Sequence, residues 1–198
     1  MKRFVSGLIL AAGASSRLGQ PKQLLPFKGT TLLGWVVEQF ESCTPLNEVV
    51  VVLGATAEEV RKQVQFGRAK VVVNPATGQG CSASYRVGIG ASDPRSDALV
   101  VLLGDQPAVN SQIVEKVISA WQKNDEKIVL ASYRGRRGHP MLFSKELFDQ
   151  MVVLHGDKAV WKLVDQHPEW VREVPIDREV PKDINTWEDY EIVLATEK

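Results

Sequence analysis

The chain has 198 residues, with 24 Lys and Arg against 24 Asp and Glu, so its net charge is zero. That balance argues against a bulk nucleic-acid or anionic-membrane surface, while the length allows one large domain with a substantial core. No apolar stretch is long enough to span a bilayer, and the two cysteines, Cys43 and Cys81, lack metal-ligand spacing. With no linker-like tract, internal repeat or low-complexity segment, residues 1–198 are expected to form a single domain of a reduced, soluble, cytoplasmic protein.

Met1-Lys2-Arg3 precedes an apolar run and so imitates a signal peptide, but the run is short and reads better as a buried first strand, Val5–Leu10. Leu32, Leu33, Val36, Val37 and Phe40 fall on one face of a helix. Val49–Leu53 predicts a second buried strand, and Thr56-Ala57-Glu58-Glu59 a capping box opening a helix to about Gln65. Val71–Val73 predicts a strand, Cys81–Ile89 a helix, Leu99–Leu103 a strand and Ile113–Trp121 a helix. Ile128–Ser132 predicts a strand and Pro140–Phe143 a short extended piece. Ser144–Met151 and Lys158–Val164 read as helical, Val171–Ile176 as extended, and a last helix starts near Thr186. Strands apolar on both faces and separated by helices imply an α/β fold: a mostly parallel sheet covered on both sides, in three layers.

Ligands of such sheets bind beyond the carboxyl ends of the strands. The unusual residues sit there: Ala11–Arg17, Asn74–Gly80 and Gly104-Asp105-Gln106-Pro107. The first loop is not a Walker A motif, since five residues separate Gly13 from Gly19 and Lys22 comes three later. Nor is it the dinucleotide fingerprint, because position 15 is Ser. It offers small residues, free backbone N–H groups, the hydroxyls of Ser15 and Ser16, and the cations Arg17 and Lys22. Such a loop can wrap a polyphosphate; an ordinary connection with solvated cations is the plainer alternative, although such connections run about 2–6 residues.

Asp105, just beyond a buried strand, is placed either to hold Mg²⁺ or to make a turn. In "VPKDINTWEDY", Asn185 or Thr186 can cap the last helix, which leaves Asp183 as the candidate second metal carboxylate. Asn74, Ser82 and Ser84 could read a base or ribose, or could serve as loop and cap. Cys81 is either a thiol of lowered pKa near a helix start or a small buried filler. Arg134, Arg136 and Arg137 before His139-Pro140 form either an anion dock or a solvated turn. No histidine has catalytic or zinc spacing, and the five tryptophans are spread along the chain as packing residues.

Read as L-A-A-G-x-S-x-R-x-G-x-x-K-x-L-L, Leu10–Leu25 resembles the signature of sugar-nucleotide and related nucleotidyltransferases. Asn74-Pro75, Gly80-x-Ser82-x-Ser84, Gly104-Asp105-Gln106-Pro107, Gly138-His139-Pro140, Gly156-Asp157 and Asp183-Ile184-Asn185-Thr186 narrow the resemblance to the molybdenum cofactor cytidylyltransferase family, in the right order over essentially the whole chain. The resemblance implies a Rossmann-like fold and transfer of CMP from CTP to the phosphate of a molybdopterin cofactor, with loss of pyrophosphate. A molybdoenzyme would be the further partner.

On the same resemblance, Ala11, Ala12, Gly13, Ser15, Asn74, Gly80, Ser82 and Ser84 would meet the nucleotide, and Arg17 and Lys22 its phosphates. Asp105 and Asp183 would position Mg²⁺, while Gln106, Arg137, His139 and Asp157 would meet an anionic acceptor. Relatives using GTP typically carry Leu-Ala-Gly-Gly where this chain has Leu10-Ala11-Ala12-Gly13, which favours CTP. The chain departs from the family at Gly156-Asp157-Lys158-Ala159-Val160-Trp161, where members often continue Gly-Asp-x-Gly-Ala-Arg. An NAD(P)-dependent reductase and a non-catalytic nucleotide- or cofactor-delivery protein are the alternatives. The missing dinucleotide fingerprint counts against the first, and the retained Arg17, Lys22, Asp105 and Asp183 against the second.

Overall fold

The computed structural model describes residues 3–76, 80–156 and 158–197. The chain opens with β1 (Val5–Ala11), then a long loop, the short ribbon β2 (Pro26–Phe27) and β3 (Thr30–Thr31), and α1 (Leu32–Glu41). There follow β4 (Glu48–Leu53), α2 (Ala57–Gln63), β5 (Lys70–Val73), α3 (Cys81–Ala91), β6 (Ala98–Leu103) and α4 (Ser111–Asn124). The second half holds β7 (Ile128–Tyr133), β8 (Arg136–Ser144), α5 (Phe148–Val153), α6 (Ala159–Gln166), β9 (Val171–Ile176) and α7 (Trp187–Thr196).

Among the described residues, seven strands make one sheet in the order β5-β4-β1-β6-β8-β7-β9. Only β8 runs against its neighbours, β6 and β7, and the other pairings are parallel. Every residue of β1 is buried, as expected of a central strand covered on both faces. One face packs on α1, α2 and α4 through residues such as Val36, Phe40, Val60, Val117 and Trp121. The other packs on α3, α5 and α6 through Tyr85, Met151, Val160 and Leu163. A separate cluster joins Leu18, Leu25, Phe27, Leu32, Ile184 and Val193. It docks the loop after β1 and the entry to α7 onto each other, and each such buried aliphatic side chain contributes about 1.5–3 kcal/mol.

Two expectations are corrected. Thr56 precedes α2 without a side-chain cap: its ψ is 16°, outside the extended region in which a cap hydroxyl reaches the first turn. The short piece expected at Pro140–Phe143 is the nine-residue strand β8. Leu130 pairs with Met141 and Ala131 with Gly138, so His139 and Pro140 are looped out of the ladder. Proline, which has no N–H to donate, is tolerated inside a sheet at such a bulge.

Candidate functional site

A cleft of about 270 Å³ opens at the carboxyl ends of β1 and β6, between the loop after β1 and the start of α3. Two glycines shape it. Gly80, which begins α3, sits at φ 79°, a left-handed conformation that side chains resist. A Cβ on Gly104 would lie 2.9 Å from the Cβ of Ala11, so glycine is what lets the ends of β1 and β6 approach.

Lys22 reaches across the mouth of this cleft. Its Nζ donates to Asp105 Oδ2 at 2.5 Å and to Asn185 Oδ1 at 3.0 Å. Both members of the ion pair are largely buried, with side chains 12% and 17% exposed. The Lys22 backbone N–H donates to Ser15 Oγ at 3.0 Å, and Ser15 itself holds φ 54°. The loop after β1 is therefore tied to the residues that follow it.

The segment before α7 is stitched to the same place. Ile184 N donates to Asp105 O at 3.1 Å, and Gln106 Nε2 donates to Asp183 Oδ1 at 2.6 Å. Asp183 is exposed on its outer side yet faces protein inward. Loss of water there, and then the charge of Asp105, raise its carboxyl above the usual range, while Gln106 and Lys22 act the other way. Asp105 and Asp183 are thus close enough to repel. A hard divalent cation would relieve that repulsion, and the oxygens of these two carboxylates suit Mg²⁺, which commonly takes one or two carboxylates along with phosphate and water oxygens. Among the described residues no group of three or more His, Cys, Asp and Glu is placed to hold a metal.

The other expected residues divide. Ala11, Ala12, Gly13, Gly80 and Ser84 line the cleft, as does Cys81. Arg17 is exposed on the loop and makes no ion pair among the described residues. Asn74 faces inward and is 2% exposed: Nδ2 donates to Ser84 Oγ at 3.1 Å and Oδ1 accepts from Ala76 N, so it braces the loop against α3. Ser82 is buried and accepts from Gly156 N at 3.2 Å, which ties α3 to the loop before α6. Gln106 turns to Asp183. Arg137 does not line the cleft; its Nε donates to Glu173 on β9 at 2.7 Å. His139 is buried edge-on to Trp161 with ring centroids 6.0 Å apart, and burial pushes its imidazole down to about 4, so the ring is neutral. Asp157 lies outside the described residues.

Two residues at Lys22 have roles that the sequence reading does not assign. Asn185 reads there as a cap candidate and as part of the Asp183–Thr186 motif, yet Thr186 caps α7 in a box with Asp189, and Asn185 turns to Lys22. Gln23, a plain polar residue in sequence, is buried against the loop. Its place two residues after Pro21 in a tight turn was the one available signal.

Residues 7–171 match the family described as the MobA-like NTP transferase domain. The chain is similar to nicotine blue oxidoreductase of Paenarthrobacter nicotinovorans, 33% identical over 83% of each chain. It is also similar to the molybdenum cofactor cytidylyltransferase of Escherichia coli, 26% identical over 73% of this chain and 72% of that one. Among solved structures it matches Rv0371c of Mycobacterium tuberculosis H37Rv with a TM-score of 0.90, 37% identity and coverage of 98% and 100%. A structure of Rv0371c in complex with manganese matches with a TM-score of 0.86, 36% identity and coverage of 98% and 99%.

Proposed function

This chain belongs to the MobA-like NTP transferase family, and from that premise we propose that it transfers CMP from CTP to a phosphorylated small molecule such as a molybdopterin cofactor. The observation that carries the reading is the Lys22–Asp105 pair, joined by Asn185, at the mouth of a cleft beyond the ends of β1 and β6. Residues 1–198 act as one nucleotidyltransferase domain.

The reaction forms a bond from an acceptor phosphate oxygen to the α-phosphorus of the nucleotide. The bond from that phosphorus to the bridging oxygen breaks, and pyrophosphate leaves with the electron pair. No side-chain nucleophile is needed, and positioning and charge stabilisation carry such reactions. The small residues Ala11, Ala12 and Gly13 admit the nucleotide close to the backbone, with Gly80 and Ser84 on the opposite wall. Lys22 holds an ammonium beside the phosphates, and Arg17, exposed and uncommitted among the described residues, is free to fork across their oxygens. Asp105 and Asp183 would hold Mg²⁺, which when bound offsets negative charge on the phosphates and orients them. Gln106 keeps Asp183 turned toward that position.

The likeness to the Escherichia coli cytidylyltransferase and the Ala11-Ala12 pair support CTP as donor. A thermal-shift panel of four nucleoside triphosphates with Mg²⁺ tests this, because a ligand at 100 times its Kd adds about 2.7 kcal/mol of stability. CTP is expected to stabilise most and to release pyrophosphate when a phosphorylated pterin is added. Preferential guanylyl transfer from equal CTP and GTP would overturn the donor assignment. A second reading rests on the 33% identity to nicotine blue oxidoreductase: an NAD(P)-dependent reductase. Oxidation of NADPH on addition of a dye would favour it, and retention of NADPH with release of pyrophosphate would exclude it.

A further inference from the structure

Gln23 is 3% exposed and lines the cleft beside Lys22. Its Nε2 donates to two carbonyls of the loop after β1, Ala11 O at 2.7 Å and Gly13 O at 3.2 Å. A carboxamide nitrogen carries two hydrogens, so one group serves both carbonyls. The orientation of the amide follows, since its oxygen in that place would face two other oxygens. As a consequence Oε1 is buried with no hydrogen-bond partner among the described residues. Such an orphaned acceptor lowers stability.

Fixing two carbonyls also fixes two peptide planes. In a trans peptide the C=O and the N–H point in opposite directions. Holding the oxygens of Ala11 and Gly13 toward Gln23 therefore turns the N–H groups of Ala12 and Ala14 away from it. Ala12 and Gly13 are themselves walls of the cleft.

We propose that Gln23 is a positioning residue for the nucleoside triphosphate, its carboxamide holding the loop after β1 in the shape that presents backbone N–H donors to the phosphates before ligand arrives. The identity of the ligand rests on the nucleotidyltransferase reading; the hold on the loop does not. Gln23 acts through the backbone of Ala11–Gly13 and needs no contact with the reacting atoms.

The experiment compares wild type, Gln23→Met and Gln23→Asn in two measurements. Met keeps the length and loses the donors, while Asn keeps the donors and shortens the reach, so one stands in if the other fails to fold. Amide ¹⁵N relaxation of the ligand-free protein is expected to show order parameters at residues 12–17 falling from about 0.85 to about 0.6 or below in the variants and unchanged in the sheet, as rigid backbone becomes flexible. Titration calorimetry with CTP and Mg²⁺ is expected to show affinity weakened by about tenfold. Unchanged order at residues 12–17 in a folded variant would overturn the proposal. So would lowered order throughout the chain, which marks a merely structural residue, or lowered loop order with undiminished affinity. Failure of the wild type to bind any of the four nucleoside triphosphates would instead overturn the nucleotidyltransferase reading, with the relaxation result still deciding whether Gln23 holds the loop.

Discussion

Lys22 and Asp105 stand 83 positions apart, yet the ammonium and carboxylate meet at 2.5 Å in a largely buried pair. Such a pair is a weak source of stability, because desolvation offsets much of the attraction. Its value lies in putting a fixed positive charge, shared with Asn185, where phosphates would enter the cleft.

Lys22→Ala is therefore expected to lower kcat by about 10²–10³, the range seen when one stabilising donor is removed from a reacting centre. The melting temperature should fall as well, since Asp105 is left largely buried without its partner, so rates are compared at a temperature where the variant is folded. Steady-state kinetics at saturating nucleotide, with melting curves on the same samples, check this. Full turnover would remove Lys22 from the mechanism. Arg17→Lys should also harm the reaction, because an ammonium does not reproduce the planar fork of the guanidinium.

The carboxylates make a separate prediction. Asp105→Asn and Asp183→Asn each keep shape and remove charge, and each should raise the Mg²⁺ concentration required for half-maximal rate. Asp183→Asn also relieves the repulsion that raises its own carboxyl, so the ligand-free variant should be no less stable than wild type. A Mg²⁺ titration of rate and a melting curve separate the two effects. An unchanged Mg²⁺ requirement in Asp183→Asn would leave that residue as part of the α7 entry only.

Much of this was legible in the sequence because burial writes itself into composition. The runs at Val49–Leu53 and Leu99–Leu103 are apolar on both faces, and only a covered strand needs that. The positions of Asp105 and the loop after β1 followed from the rule that ligands sit beyond strand ends. What was not legible depended on partners distant in the chain. Gln23 and Asn185 look like ordinary polar residues until the cluster of Leu18, Leu25 and Ile184 brings their segments together. The length of β8 was hidden by Pro140, which reads as a strand breaker until the bulge that houses it is seen. Arg137 looked like an anion dock because Glu173, its partner, lies 36 positions away on another strand.

Gly104 tests how closely the two strand ends must approach. A Cβ there would meet Ala11 Cβ at 2.9 Å, Leu33 at 3.2 Å and the Leu10 carbonyl at 3.3 Å, two of them rigid. Gly104→Ala should cost about 1–3 kcal/mol, the usual range for overpacking, and should weaken nucleotide binding because β1 and β6 carry the cleft walls. Adding Ala11→Gly removes the nearest clash. The double variant is expected to recover part of the loss, a coupling that denaturant melts of the two singles and the double would reveal. Additive effects would show that the clash is absorbed elsewhere.

His139 gives the protein an acid-sensitive element. Burial holds its imidazole neutral, down to about 4 from the usual 6.5. Above pH 6.5 both the folded and unfolded chains carry a neutral ring, and the group contributes nothing to the pH dependence. As pH falls from 6.5 to about 4 the unfolded chain takes up a proton that the folded one refuses, so stability declines. The decline levels off below about 4, at a total of about 3 kcal/mol. His139→Gln should flatten the stability curve across that window whatever it does to stability at neutral pH, since the variant has nothing to titrate there. Urea melts at intervals from pH 7 to pH 4.5 measure the slope directly. An equal slope in wild type and variant would mean that His139 is protonated within the fold, with its Nε2 donating to a partner that the buried ring lacks among the described residues.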